Sequence, residues 1–146
     1  MKAINRRSVF GLGGIAAAAT ALVPFFSLAD AAGVPNYGPN EGKDIGAGRR
    51  LIEVGVQESQ ITAYKSLKII DIIYPVGAAD PDDDPPMDMD MVCHVIAGDF
   101  RIQKTGIPPY IVKEGGIYTC GIGKKDKATN ISNVVGIHRI ALLVPA

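Results

Sequence analysis

Met87, Met89, Met91 and Cys93 occupy every second position of one short segment. Alternate side chains of a β-strand share a face, so this spacing lays three thioethers and a thiol along one side of a strand. Asp88, Asp90, Val92 and His94 then share the other side. Soft sulfur ligands select Cu(I) over harder ions, so a copper site is one chemistry the stripe supports. A soft-metal protein or small metal-dependent oxidoreductase would draw its ligands from Met87, Met89, Met91, Cys93 and Cys120, with His94 as a further donor. The other chemistry is apolar, because methionine adapts its shape to fill cores and line ligand pockets. Packing or an apolar pocket is the expected role, with Met87, Met91 and Cys93 as the ligand-contacting residues and copper as the alternative.

Cys93 and Cys120 are the only cysteines. In an oxidising compartment they could bridge, closing a loop that stabilises the fold by about 3 to 4 kcal/mol in the chain-entropy model. Two buried free thiols and metal ligation stay open beside that. His94 and His138 are the only histidines. His94 shares the acidic face of the stripe with Asp90, where a hydrogen-bonded structural role is expected and proton donation is the alternative. The face of His138 is not settled by alternation, since Ile137 and Arg139 flank it, and a structural or surface role is expected. Asp80, Asp82, Asp83 and Asp84 offer oxygen ligands of the kind calcium takes. Their run lacks the glycine and distal glutamate of a calcium loop, so it reads as a solvated acidic turn. No serine or cysteine can be tied by spacing to a histidine and an acid, and the catalytic residues are therefore unassigned.

These residues must be positioned by a single domain, since 146 residues do not make two of ordinary size. With 47% apolar and 21% charged residues the composition is that of a folded chain. The first 31 residues follow the plan of an export signal. Lys2, Arg6 and Arg7 precede an uncharged stretch from Val9 to Leu28, and Ala29-Asp30-Ala31 supplies the small-residue cleavage pattern, so cleavage is expected after Ala31. The pair Arg6-Arg7 before a Gly/Ala-rich segment resembles a twin-arginine signal, and a general secretory signal is the alternative. Gly11, Gly13, Gly14 and Pro24 make the stretch a poor permanent span, so no stable membrane anchor is expected after cleavage. The expected location is periplasmic or secreted. Loss of residues 1–31 removes Lys2, Arg6, Arg7 and Asp30 and leaves a net charge of −2. Scattered basic groups do not make a polyanion surface, so nucleic acid is excluded as a partner.

Residues 32–50 are rich in Gly, Pro and Asn and read as an extended arm. From residue 51 short apolar runs follow at 51–56, 67–74, 87–97, 100–103, 110–112, 117–120 and 137–144, separated by turn residues. This pattern predicts strands throughout, apart from a weak helical stripe around 58–65. Gly98-Asp99 is expected to turn a tight hairpin and Gly106-Ile107-Pro108-Pro109 to break the next pair, so successive strands should pair locally. The proline- and aspartate-rich stretch 77–85 must be a loop.

The segment from Gly115 to Asn130 resembles the second sequence motif of the cupin family. Five residues separate Gly115 from Gly121, which stands where the family has proline; Gly123 follows at the family spacing, and Asn130 closes the pattern. Gly98 matches the glycine that ends the first motif, and 16 residues lie between it and Gly115, as in small bacterial cupins. The resemblance covers about residues 67–144 and implies an all-β fold, a single jelly-roll barrel over 51–146. It also implies that the sulfur stripe faces the barrel interior. In metal-binding cupins the motifs supply three histidines and a glutamate. Here the glutamate position is Met91, the first two histidine positions fall at about Pro85 and Met87, and the last is Asp126. The resemblance therefore implies the fold without the usual metal site, since thioethers are poor ligands for iron, manganese or zinc. Asp126, flanked by Lys124, Lys125 and Lys127, becomes the candidate polar contact at the barrel mouth, held ionised by those cations. The expected function is that of an exported binding protein for a small molecule. A structural role as a homodimer is the third alternative.

Overall fold

The computed structural model describes residues 33–146, so the export signal and its cleavage after Ala31 lie outside the described residues. The described chain is all β, with nine strands and no helix. In chain order they are β1 (Lys43–Asp44), β2 (Arg50–Glu58), β3 (Tyr64–Tyr74), β4 (Asp90–Ala97), β5 (Phe100–Lys104), β6 (Ile107–Val112), β7 (Ile117–Cys120), β8 (Asp126–Asn130) and β9 (Gly136–Pro145). Six form one sheet in the order β1-β2-β3-β9-β4-β7, and three form a second in the order β6-β5-β8. All pairings are antiparallel. The two sheets are not closed into a hydrogen-bonded barrel; they make a jelly roll with the core between them.

Successive strands do not all pair locally. The chain leaves β4 in the large sheet and enters β5 in the small one, so the turn between them is a corner between layers and not the expected hairpin. Gly98 makes this corner with a φ of +81°, and a Cβ there would stand 2.9 Å from the Ser132 hydroxyl and 3.2 Å from the Gly136 backbone. A side chain is excluded by both conformation and space. Pro108 and Pro109 do not end strand structure either. They lie inside β6, which is tolerated because β6 edges its sheet and one side of its backbone needs no donors. Residues 59–63 form a turn between β2 and β3, where a weak helical stripe was expected; pairing of β2 with β3 outweighs that local preference.

β3 is buried on both sides at its C-terminal end, which explains the doubled isoleucines at 69–70 and 72–73. Ile70, Ile72 and Tyr74 face the second sheet, while Asp71 and Ile73 face outward beneath the N-terminal segment, whose Val34, Pro35 and Tyr37 line a cleft with Ile73 and Ile137. The arm is thus packed along the sheet, and it contributes β1. Phe100, Ile102, Val95 and Cys93 are fully buried between the layers, and Tyr74 meets Phe100 edge-to-face at 5.0 Å. Each such side chain contributes about 1.5 to 3 kcal/mol through burial. Asn130, the last residue of the resemblance motif, is also fully buried. Its amide nitrogen donates to the carbonyls of Tyr74, Pro75 and Val134, which ties β8 to the loop after β3.

Candidate functional site

Between the sheets lies a cavity of about 280 Å³. Its apolar walls come from β3 and β9, with Ile70, Ile72, Ile140 and Leu142, and its sulfur wall from Met87, Met91 and Cys93. Asp126 lines it at the start of β8. The four residues named from sequence as ligand-contacting, Met87, Met91, Cys93 and Asp126, are therefore brought to one cavity.

The stripe itself is not one strand. β4 begins at Asp90, so only Met91 and Cys93 alternate on it. Met87 belongs to the preceding loop, where its amide donates to the Lys124 carbonyl and its carbonyl accepts from the Gly123 amide, each at 2.8 Å. That pairing with the β7–β8 turn carries Met87 back over the cavity. Met89 has no such tether and does not line it. Cys120 is buried on the same face as Met91, its register partner, yet lies outside the lining, and the two cysteines are free thiols. Burial pushes the Cys93 thiol up to about 12, so it is a protonated, unreactive group at neutral pH. Pro85 is exposed and takes no part.

Asp80 is not in a solvated turn. Its carboxylate pairs with Arg49, accepts the Tyr74 hydroxyl at 2.7 Å and the Ala128 amide at 2.7 Å, and its side chain is only 15% exposed. Two further guanidinium donors of Arg49 go to the carbonyls of Gly46 and Ile45. Asp80, Arg49 and Tyr74 all line the cavity, as does Asp84. Asp82 and Asp83 stay exposed, and Asp82 pairs with Lys127. Lys127 is therefore engaged elsewhere and does not hold Asp126 ionised. Burial, with Asp80 adding to it, raises the Asp126 carboxyl above its usual range, and the Lys104 charge offsets this only in part. Asp84 is raised for the same two reasons.

The residue that sequence placed least well is among the most buried in the wall. His138 pairs in register with Ile72 and Val95 and faces inward, 2% exposed. Its ring stacks on Tyr118 at 5.3 Å and lies 5.5 Å from Phe100 and 6.2 Å from Tyr74. Neither ring nitrogen has a hydrogen-bond partner; the Tyr118 hydroxyl stands close to Cys93 and Asp126 without a well-formed hydrogen bond to either. Burial lowers the His138 pKa to about 4, so the ring is neutral at pH 7, with one donor and one acceptor unmet. Tyr118 is opposite Cys93 in the β4–β7 pair and also lines the cavity; burial raises its phenol strongly. A signal for Tyr118 did exist in the sequence, since it alternates with Cys120. His94, by contrast, is half-buried on the outward face.

The metal of the fold family does not fit this donor set. Two thioethers and a raised carboxyl stand at its ligand positions, and among the described residues no three of His, Cys, Asp and Glu come together as a metal-holding group.

No protein-family model matches the sequence, and no curated protein matches it. Solved structures do match in shape. An RmlC-like cupin from Shewanella frigidimarina superposes with a TM-score of 0.58 at 20% identity, covering 76% of this chain and 89% of its own. The cupin domain of an XRE-family transcriptional regulator from Enterobacter cloacae gives 0.54 at 13% identity, over 67% of this chain and 98% of that one. KdgF from a Halomonas species gives 0.53 at 13% identity, over 69% and 85%. At these identities the likeness is one of fold, and the fold is the cupin jelly roll.

Proposed function

We propose that this cupin-fold chain is an exported binding protein, whose ligand is a small, largely apolar molecule with one hydrogen-bonding group, held in the cavity between the sheets. The observation that carries the reading is the pair His138 and Tyr118. Three polar atoms buried in a cavity wall without partners cost roughly 1 to 3 kcal/mol each if they stay unmet. A ligand that brings a hydroxyl or similar group to that wall removes part of the cost, and the surrounding isoleucines, leucine and thioethers accept the apolar remainder. The volume of about 280 Å³ lies at the small end for ligand pockets, which favours a single ring or a short branched chain. Export rests on the basic start, apolar stretch and Ala29-Asp30-Ala31 of the leader.

The test is native mass spectrometry of the protein recovered from its own compartment, together with metal analysis and N-terminal sequencing. A bound small organic molecule and an N-terminus at Ala32 are expected. One tightly held metal per chain in place of an organic ligand would overturn the reading.

A second reading has its own observation: Met87, Met91 and Cys93 line the same cavity as the unpartnered His138, a soft donor set suited to Cu(I). Under it, Met91→Ala lowers Cu(I) affinity by roughly tenfold or more, about 1.4 kcal/mol. Unchanged affinity in that variant would remove it.

A further inference from the structure

The charges around the cavity narrow the ligand class, an inference that rests on the binding reading above. Three carboxylates, Asp80, Asp84 and Asp126, line the cavity against one guanidinium, that of Arg49. Arg49 is engaged: Asp80 pairs with its charge, and two backbone carbonyls accept two more of its five donors. Asp80 is equally committed, to Arg49, Tyr74 and the Ala128 amide. Asp84 and Asp126 form no ion pair among the described residues, although Lys104 and Lys125 lie near them on the outer side. Lys104 is itself donated to the Thr119 carbonyl and lies over the Tyr118 ring at 4.7 Å. An anion entering here would meet two half-buried carboxylates with no free cation in the lining. A cation would meet two half-buried carboxylates that make no ion pair, where a charge-assisted hydrogen bond is stronger than in open water.

The acidic pair does not stand alone. The same cavity is lined by His138, 2% exposed, and Tyr118, 8% exposed, whose polar atoms are unpartnered. A neutral imidazole offers one donor and one acceptor, and a phenol offers both, so a hydroxyl satisfies either in any tautomer. Tyr118 stands beside Asp126, and the rest of the lining is largely apolar and sulfur side chains. We infer that the cavity takes a small hydroxylated amine: a protonated nitrogen at Asp84 and Asp126, a ring-sized apolar body against Met91 and Ile140, and a hydroxyl at His138.

Three probes of one shape separate the claims. Isothermal titration of the full chain, purified from its native compartment, is carried out with tyramine, para-cresol and para-hydroxyphenylacetate. The amine is expected to bind roughly tenfold or more tighter than para-cresol, and the carboxylate weakest of the three. In the double variant Asp84→Asn, Asp126→Asn the amine should fall to the level of para-cresol. A denaturant midpoint close to the parent's reports that the variant is folded. If tyramine is no tighter than para-cresol, or the carboxylate binds as well as the amine, the inference is overturned while the binding reading stands. If none of the three binds, both fall.

Discussion

Neighbouring residues of β9 show how differently one strand treats buried polar groups on its two sides. Arg139 points outward, and its guanidinium grips Asp71 of β3 with two hydrogen bonds of 2.8 Å. Tyr37 of the N-terminal segment donates to the same carboxylate at 2.6 Å, and Asp71, although wholly buried, has three donors. His138 points inward and has none. The outer knot is a closed network, which spends its polarity on fixing the N-terminal segment to the sheet. The inner wall leaves its polarity open toward a cavity. A closed network of this kind specifies structure, and under the proposed binding reading the open polarity of the inner wall is what a ligand would complete.

The comparison breaks most visibly at Arg139. Arg139→Ala leaves the Asp71 charge buried with only the Tyr37 hydroxyl, a change that costs about 3 to 5 kcal/mol for a buried pair. The Arg139 side chain is 34% exposed, so the lower end of that range is expected, read by denaturant unfolding. A loss below about 1 kcal/mol would mean that the knot is not a closed structural unit.

The next effect is on pH dependence. His138 has a folded pKa of about 4 against an unfolded 6.5, so above pH 6.5 neither state binds the proton and the term is constant. As pH falls from 6.5 to about 4 the unfolded chain takes the proton and the folded chain does not, so stability falls. The full span is worth about 3 kcal/mol. His138→Phe should flatten this part of the stability profile relative to the parent; parallel profiles would show that the ring finds a partner or water.

At neutral pH, His138→Phe exchanges an unsatisfied ring for an apolar one of similar shape. It should raise the stability of ligand-free protein by about 1 kcal/mol while weakening para-cresol. A destabilised variant would place His138 with the structural residues. Smallest is Tyr37→Phe, which removes one hydrogen bond from the knot and should cost about 1 kcal/mol in unfolding with no change in para-cresol affinity.

Much of the frame was legible in the residues. Gly98, Gly115, Gly123 and Asn130 carried the resemblance to the fold, and the fold met in the solved structures is the same one. Short strands rich in Ile, Val and Tyr were readable because their spacing repeats. What was not readable depended on the third dimension. β8, with the polar run Asp126 to Asn130, has no apolar alternation, and its pairing with β5 makes it a strand. Asp80 looked solvated because its neighbours are acids and prolines, and only the chain reversal that brings Arg49 and the Ala128 amide to it pulls it inside. Met87 and Met89 looked equivalent until the Lys124 and Gly123 pairing separated them. His138 was ambiguous by alternation, and its register opposite Ile72 and Val95 turns it inward.

The central claim is that the inner wall is where a ligand completes the protein. It is tested most directly by NMR of the His138 imidazole and the Arg139 guanidinium, followed in one sample as para-cresol is added. A saturable shift at His138 with Arg139 unmoved is the predicted result. A shift confined to Arg139, or an imidazole that stays unmoved at saturating para-cresol, would contradict it.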